Sequence, residues 1–330
     1  MDRDLGVLSN APNPRLGNQA THSVGGGPLL FLIWILGWTY YLLPHCLRQA
    51  LGFFLGFLLR IFGLRSQVVK KNLEIAWGGD LEKRKQLYSQ AYFHLGQLIF
   101  ELFMLVGPLK RYVKKQVIVQ GIENWQAAHA LGKGVFFVSS HVGNWEIMSA
   151  KSQEKGMDLL LVTKKIKPAW LHAAIEKGRA RCGVKATYEP RTLRDILAHL
   201  KNKGTVGFVL DQYTGPPVSV RAPLFGLPVG TSTALATLAV RSGAPVLPVL
   251  NYRNGQGKFV IEIGPPVETQ PQQSQENDLN LEIASLTAAY VSVLETHIRA
   301  HPEQWLWTHH RFKGDLSPLR PGEWSEKRGR

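Results

Sequence analysis

The sequence predicts an α/β fold: a largely parallel, buried sheet flanked by helices and preceded by an N-terminal membrane helix. Two observations carry this. After Gly107 and Pro108, short apolar runs alternate with amphipathic segments, the pattern of strands joined by helical crossovers. Before them lies a strongly apolar stretch, with no Asp, Glu, Lys or Arg from Leu16 to Leu47. The chain has 330 residues, 45% of them hydrophobic, enough for one large domain with an appendage.

Taken in order, residues 1–27 are polar and Gly-rich and read as a disordered tail. Residues 28–65 read as an anchor. "PLLFLIWILGWTYYLLP" begins a stretch, 28–47, that just meets the ~20 apolar residues of a membrane span, with Pro44 as a kink. Residues 50–64, with Arg48, Arg60 and Arg65 around them, read as an interfacial helix. A buried core hairpin is the alternative for this region. Basic residues follow the apolar stretch more than they precede it, which puts the remainder on the cytoplasmic side. Residues 66–106 show apolar positions at helical spacing. The α/β domain runs over 66–316, with 317–330 as a C-terminal tail. Its strands are "QVIVQ", "GVFFVSS", "DLLLVT", "TVGFVL", "PVLPVL" and "KFVIEI". Helices are expected near 122–131, from about Asn144, over 168–181, 191–202 and 231–242, and over 279–300. Ligands in such folds bind beyond the carboxyl ends of strands, which singles out His141, Thr163, Asp211 and Asn251.

"VFFVSSHVGNWEIMSA" holds the sharpest local signal. A separation of five puts His141 and Glu146 about 140° apart on a helix and on opposite faces of a strand. They meet only across a junction: His141 ends the strand, Gly143 turns, and Asn144 caps a helix with Glu146 in its first turn. Glu146 is then expected to accept from His141 Nδ1–H, leaving Nε2 as a general base. No Ser or Cys nucleophile elbow stands nearby, so the nucleophile is expected to be the substrate's own hydroxyl or amine. A core histidine beside a capping glutamate is the structural alternative.

Lys and Arg total 39 against 24 Asp and Glu, a net charge of +15, which suits a polyanion. Anionic headgroups, phosphorylated sugars or an acidic carrier protein fit "KKIK" (164–167), "EKGRAR" and "HHRFK"; the aromatic-interleaved basic strands of RNA binders are missing, so no nucleic-acid partner is expected. The two cysteines, Cys46 and Cys182, give no disulfide framework, and neither a metal nor a cofactor is expected.

Several stretches together resemble a known family. "SSHVGNWE" resembles the HxxxxD/E block of the glycerolipid acyltransferase superfamily, and the chain looks like the bacterial lipid A late acyltransferases of the HtrB type. "EKGRARCGV", residues 207–253 and "PEQWLWTHHRFK" resemble that family's further blocks, in the same order over roughly 28–313. The resemblance implies a glycerolipid-acyltransferase-like sheet. It implies acyl transfer from a thioester, on acyl carrier protein or CoA, to a glycolipid hydroxyl at the cell inner membrane, without an acyl-enzyme. His141 would be the base and Glu146 its orienter. Arg179 would serve the oxyanion or a phosphate, and Asp211 a positioning role. Pro216-Pro217 stands where the family commonly has Pro-Arg, which leaves the acceptor open: another lysolipid, mannolipid or amino lipid, with acyl-CoA as donor, or a silent membrane-binding homologue.

Overall fold

A computed structural model describes residues 27–268 and 279–318. The expected N-terminal tail, apart from Gly27 at the start of the first helix, and most of the C-terminal tail lie outside the described residues. The elements run α1 (Gly27–Leu42), α2 (His45–Ile61), α3 (Ser66–Trp77), α4 (Leu81–Phe103), α5 (Leu109–Gln116), β1 (Val117–Gln120), α6 (Ile122–Ala130), β2 (Val135–Ser139), α7 (Trp145–Lys151), β3 (Leu159–Val162), α8 (Ala169–Arg181), β4 (Lys185–Thr187), α9 (Thr192–Lys201), β5 (Thr205–Val209), β6 (Ser219–Leu224), β7 (Leu227–Ser232), α10 (Ala234–Ser242), β8 (Val246–Arg253), β9 (Phe259–Ile263) and α11 (Leu279–Ala300).

A seven-stranded sheet has the order β1-β9-β8-β2-β5-β3-β4, with β2 at its centre. All pairings are parallel except β8 with β9. The β2–β5 register sets Ser139 opposite Val209, and both strands point their carboxyl ends the same way. Every residue of β2 is buried, as expected for a strand covered on both faces. Phe137, Leu159, Val249 and Ile261 pack on one face, with α5, α6 and α7. Phe136, Val206, Leu235 and Tyr290 pack on the other, with α9, α10 and α11.

Each strand expected from the apolar runs is present, and the helices fall within a few residues of their expected bounds. Two features differ. β4 is only three residues long, and β6 and β7 form an antiparallel hairpin outside the main sheet. Pro223 and Pro228 face each other in that hairpin, where neither removes a bond from the larger sheet.

The expected N-terminal membrane helix is not a single span. α1 has 16 residues, about 24 Å at the helical rise, short of a ~30 Å hydrocarbon core. Pro44 then starts α2 as a separate helix. Among the described residues no single helix is long and apolar enough to cross a membrane, although two bent helix pairs pass by length and composition. α2 instead crosses α4 at backbone contact: a Cβ on Gly96 would lie 2.2 Å from the Gly52 carbonyl oxygen. The other side of α2 exposes Phe53, Phe54, Phe57 and Ile61, and α1 exposes Phe31, Leu32 and Trp34.

Candidate active site

The loop after β2 carries His141, and its shape is set locally. Gly143 has φ of +65°, and a Cβ there would meet Asn251 Oδ1 at 2.4 Å, so only glycine fits. Asn144 caps α7: its Oδ1 accepts from the backbone N–H groups of Glu146 (3.0 Å) and Ile147 (3.2 Å). The strand–turn–cap arrangement expected from the sequence is therefore present, with Glu146 in the first turn of α7.

The partner of the histidine differs from the expectation. Asp211, two residues beyond β5, accepts from His141 Nδ1 at 2.7 Å through Oδ1, and from the His141 backbone N–H at 2.8 Å through Oδ2. The Trp305 indole also donates to Oδ2, at 2.7 Å. Burial alone would raise the Asp211 pKa; the imidazole charge and these three hydrogen bonds outweigh it and hold the carboxyl at about 2. An ionised carboxylate only accepts, so Nδ1 carries a proton, and in the neutral imidazole Nε2 presents a lone pair. The Trp145 ring stands edge-on to the imidazole with centroids 4.6 Å apart. The carboxamide of Gln212 lies on the other nitrogen, its Nε2 3.4 Å from His141 Nε2.

Glu146 is turned elsewhere. Both its oxygens are held by Arg179 of α8, from Nε at 3.0 Å and Nη2 at 2.6 Å. The third nitrogen, Nη1, donates to Glu176 at 3.2 Å. Arg179 and Glu146 are each 5% exposed. Burial would lower the Arg179 pKa, but the Glu146 carboxylate raises it overall. The structure thus joins the four expected site residues as two pairs, His141 with Asp211 and Glu146 with Arg179. The expected Nδ1 contact to Glu146 is replaced by Asp211, because the α7 turn points Glu146 at the α8 guanidinium. Arg179, expected at an oxyanion or a phosphate, has each of its nitrogens donating to a carboxylate.

Several supporting residues were not singled out from the sequence. The segment after α11 runs beside the His141 loop: Gly143 N–H donates to the Gln304 carbonyl at 3.0 Å and Leu306 N–H to the His141 carbonyl at 3.1 Å. Below the turn, Asn144 Nδ2 donates to Glu101 Oε2 at 3.1 Å, and Glu101 also binds Arg253 at 2.6 Å. Of the other two strand ends, Asn251 is buried under the turn, where its Oδ1 accepts from Asn144 N–H. Thr163 bonds to the Thr187 carbonyl at the outer strands and does not enter the site. Arg311, 1% exposed, donates to the carbonyls of Gln212 and Gly230 at 2.8 Å each and to Thr231 Oγ1 at 2.7 Å. Burial pushes its pKa down to about 10, with Asp211 acting in the opposite direction.

A narrow apolar cavity of about 40 Å³ lies between the sheet and α7, on the face bearing Phe137, Ser139, Gly207 and Val209. Met148 and Met157 are in its wall. Its Ser139 end is two residues from His141. Among the described residues no group of three His, Cys, Asp or Glu side chains could hold a metal ion; His297, in the last turn of α11, and His301, just past its end, pack ring to ring at 5.2 Å.

The profile of one family, described as bacterial lipid A biosynthesis acyltransferase, matches residues 24–314. The chain belongs to that family. Similar proteins include the lipid A biosynthesis lauroyltransferase of Escherichia coli (strain K12), 29% identical over 295 residues, 87% of this chain and 92% of the relative. The lipid A biosynthesis palmitoleoyltransferase of the same organism is 28% identical over 294 residues, again 87% and 92%. A phosphatidylinositol mannoside acyltransferase of Mycobacterium tuberculosis is 23% identical over 225 residues, 67% of this chain and 68% of the relative. This member of the lipid A biosynthesis acyltransferase family is therefore an O-acyltransferase acting on a lipid substrate.

Proposed function

We propose that this acyltransferase moves a fatty acyl chain from an acyl thioester to a hydroxyl of a lipid A precursor at the cytoplasmic face of the inner membrane. The observation that carries the reading is the His141–Asp211 pair at the adjoining carboxyl ends of β2 and β5. His141 Nε2 takes the proton of the acceptor hydroxyl as its oxygen attacks the thioester carbonyl. Asp211 holds the imidazole in the Nδ1–H tautomer and stabilises the imidazolium that forms. The leaving thiolate then takes the same proton, so no acyl-enzyme is needed. Glu146 and Arg179 form a buried clamp that fixes α7, and with it the histidine turn, against α8.

The apolar cavity supports a fatty acyl donor. Its ~40 Å³ has room on the order of three water-sized objects, so a long chain enters only as Met148 and Met157 repack, which flexible thioethers do readily. The exposed Lys164, Lys165 and Lys167 leave the carboxyl end of β3, the same edge of the sheet as His141. They favour an acidic acyl carrier protein as the donor's bearer. The aromatic residues exposed on α1 and α2 favour seating on a lipid surface.

The test is the lipid composition of a strain lacking the gene, read by mass spectrometry, with complementation by wild type and by His141→Ala. Lipid A species short of one acyl chain, restored by wild type and not by His141→Ala, are expected. A normal lipid A with a shortened mannolipid or phospholipid would move the acceptor to that class. Full restoration by His141→Ala would remove the proposed base.

A further inference from the structure

An acyl transfer places negative charge on the thioester carbonyl oxygen, and that oxygen needs a donor aimed at it. Arg179 is aimed elsewhere: its Nε, Nη1 and Nη2 each donate to the Glu146 or Glu176 carboxylate. We propose that Gln212 is a catalytic residue whose carboxamide N–H donates to the oxyanion of the tetrahedral intermediate.

The geometry points to it in three ways. First, orientation. Asp211 fixes a proton of His141 on Nδ1, so in the neutral imidazole that serves as the base Nε2 is an acceptor, and only the NH2 end of the Gln212 amide can face it. Second, reach. The amide nitrogen is 3.4 Å from His141 Nε2. The attacking hydroxyl oxygen must sit about a hydrogen-bond length from Nε2, and the oxyanion is two covalent bonds from that oxygen. A donor beside Nε2 therefore lies within hydrogen-bonding range of it. At 3.4 Å the contact to Nε2 is a weak hydrogen bond, so the amide gives it up at little cost when the hydroxyl arrives. Third, support. The Gln212 carbonyl is held at 2.8 Å by Arg311, a buried guanidinium anchored on β7 through Gly230 and Thr231. Asp211, the preceding residue, is gripped by His141 and Trp305. The backbone on both sides of the amide is thus fixed before substrate binds, as an oxyanion donor requires.

The step balances. The hydroxyl oxygen bonds to the carbonyl carbon, the carbonyl π pair moves to oxygen, and the proton goes to Nε2. Gln212 stabilises the resulting oxyanion; its collapse breaks the carbon–sulfur bond, and the thiolate leaves with the proton from His141.

This assignment rests on the acyltransferase reading above, and one set of assays separates the two. Purified full-length wild type, Gln212→Ala and the near-isosteric Gln212→Glu are assayed with an acyl carrier protein thioester and purified lipid acceptor, alongside thermal melting. Removing one oxyanion donor costs on the order of 100- to 1000-fold in kcat. Both variants are expected to fall by that factor, with KM for donor and acceptor changed less than about threefold and melting unchanged. Gln212→Glu keeps the shape but turns an acceptor toward the oxyanion, so its kcat within tenfold of wild type would overturn the assignment even if Gln212→Ala failed to fold. Losses carried by KM alone would also overturn it. A wild type that transfers no acyl chain overturns the function reading and this assignment together.

Discussion

Asp211 grips His141 at two points, the ring nitrogen Nδ1 through one carboxylate oxygen at 2.7 Å and the backbone N–H through the other at 2.8 Å. The second bond ties the loop as well as the ring. Asp211→Asn keeps the shape but lets the amide donate to the ring, favouring the wrong tautomer. A loss of kcat on the order of 10⁴-fold is expected, as for the equivalent change in a hydrolase triad. Steady-state kinetics at several pH values check it; near-normal kcat would show that the tautomer is set elsewhere.

Glu146 and Arg179 should behave as a structural couple. Removing one partner of a buried pair leaves an uncompensated charge and costs about 3–5 kcal/mol. Glu146→Ala is expected to lose that much, and Glu146→Ala combined with Arg179→Leu to recover a substantial part. Denaturant unfolding of the two singles and the double measures the coupling. Independent, additive losses would mean the pair is not the clamp described.

Acid should weaken the fold in a defined window. Burial lowers the pKa of His297 to about 4, partly countered by its bond to the Asn251 carbonyl. Burial also lowers His309 to about 4, against the pull of Asp211. As pH falls below ~6.5 the unfolded chain takes up these protons first, so stability falls between about 6.5 and 4 and then levels. For His297 alone this amounts to roughly 3 kcal/mol. Asp211 works in a lower window: its contribution is complete above pH ~4 and is lost toward 2. Unfolding midpoints at pH 7 and 4.5 are expected to differ, and the difference to shrink in His297→Gln.

Gly207 sits mid-β5 facing the apolar cavity, where an added Cβ meets Leu161 Cδ2 at 3.0 Å and Leu159 Cδ1 at 3.4 Å. Gly207→Val pushes those flexible tips into the slot. A shift toward shorter acyl chains is expected, about 1–3 kcal/mol of discrimination per lost fit. Competition between donors of different chain length reads it directly, and an unchanged preference would place the acyl chain elsewhere.

The aromatic face of α2 gives a membrane test that leaves the core alone. Phe53, Phe54 and Phe57 are 62%, 60% and 46% exposed. Replacing all three with Ser is expected to weaken partitioning onto anionic vesicles, read by co-flotation, by on the order of a thousandfold, each lost apolar side chain being worth about 1.5–3 kcal/mol when buried. Unchanged flotation would assign the lipid contact to other surfaces.

How much of this was legible in the sequence follows from the range of each interaction. His141, Gly143, Asn144 and the start of α7 were readable because strand end, turn and cap act within a few residues. The carboxylate partner was not. Asp211 lies 70 positions away, and its contact depends on β5 being the neighbour of β2, a fact of sheet order that no local pattern encodes. Glu146 was nearer in sequence and misleading for that reason; its orientation is decided by Arg179 on a different helix. The β6–β7 hairpin was hidden by Pro223 and Pro228, which argue against strand in any window read alone. The N-terminal apolar run was visible as such, but Pro44 and the crossing of α2 over α4 divide it into two short helices.

The Ser139–Val209 register has a consequence for how such an enzyme diversifies. Base and carboxylate each stand two residues past that pairing, on strands held edge to edge by the sheet. The excursion between the strands, from β3 through α9, contributes Arg179 on α8, but its connecting loops stand outside that pairing. Loop insertions or deletions there can reshape donor and acceptor preference while the dyad stays aligned. A single-residue insertion inside β5 would instead turn Asp211 to the opposite face of the sheet and part it from His141. New substrates are thus open to the crossover loops, and closed to the two strands that carry the chemistry.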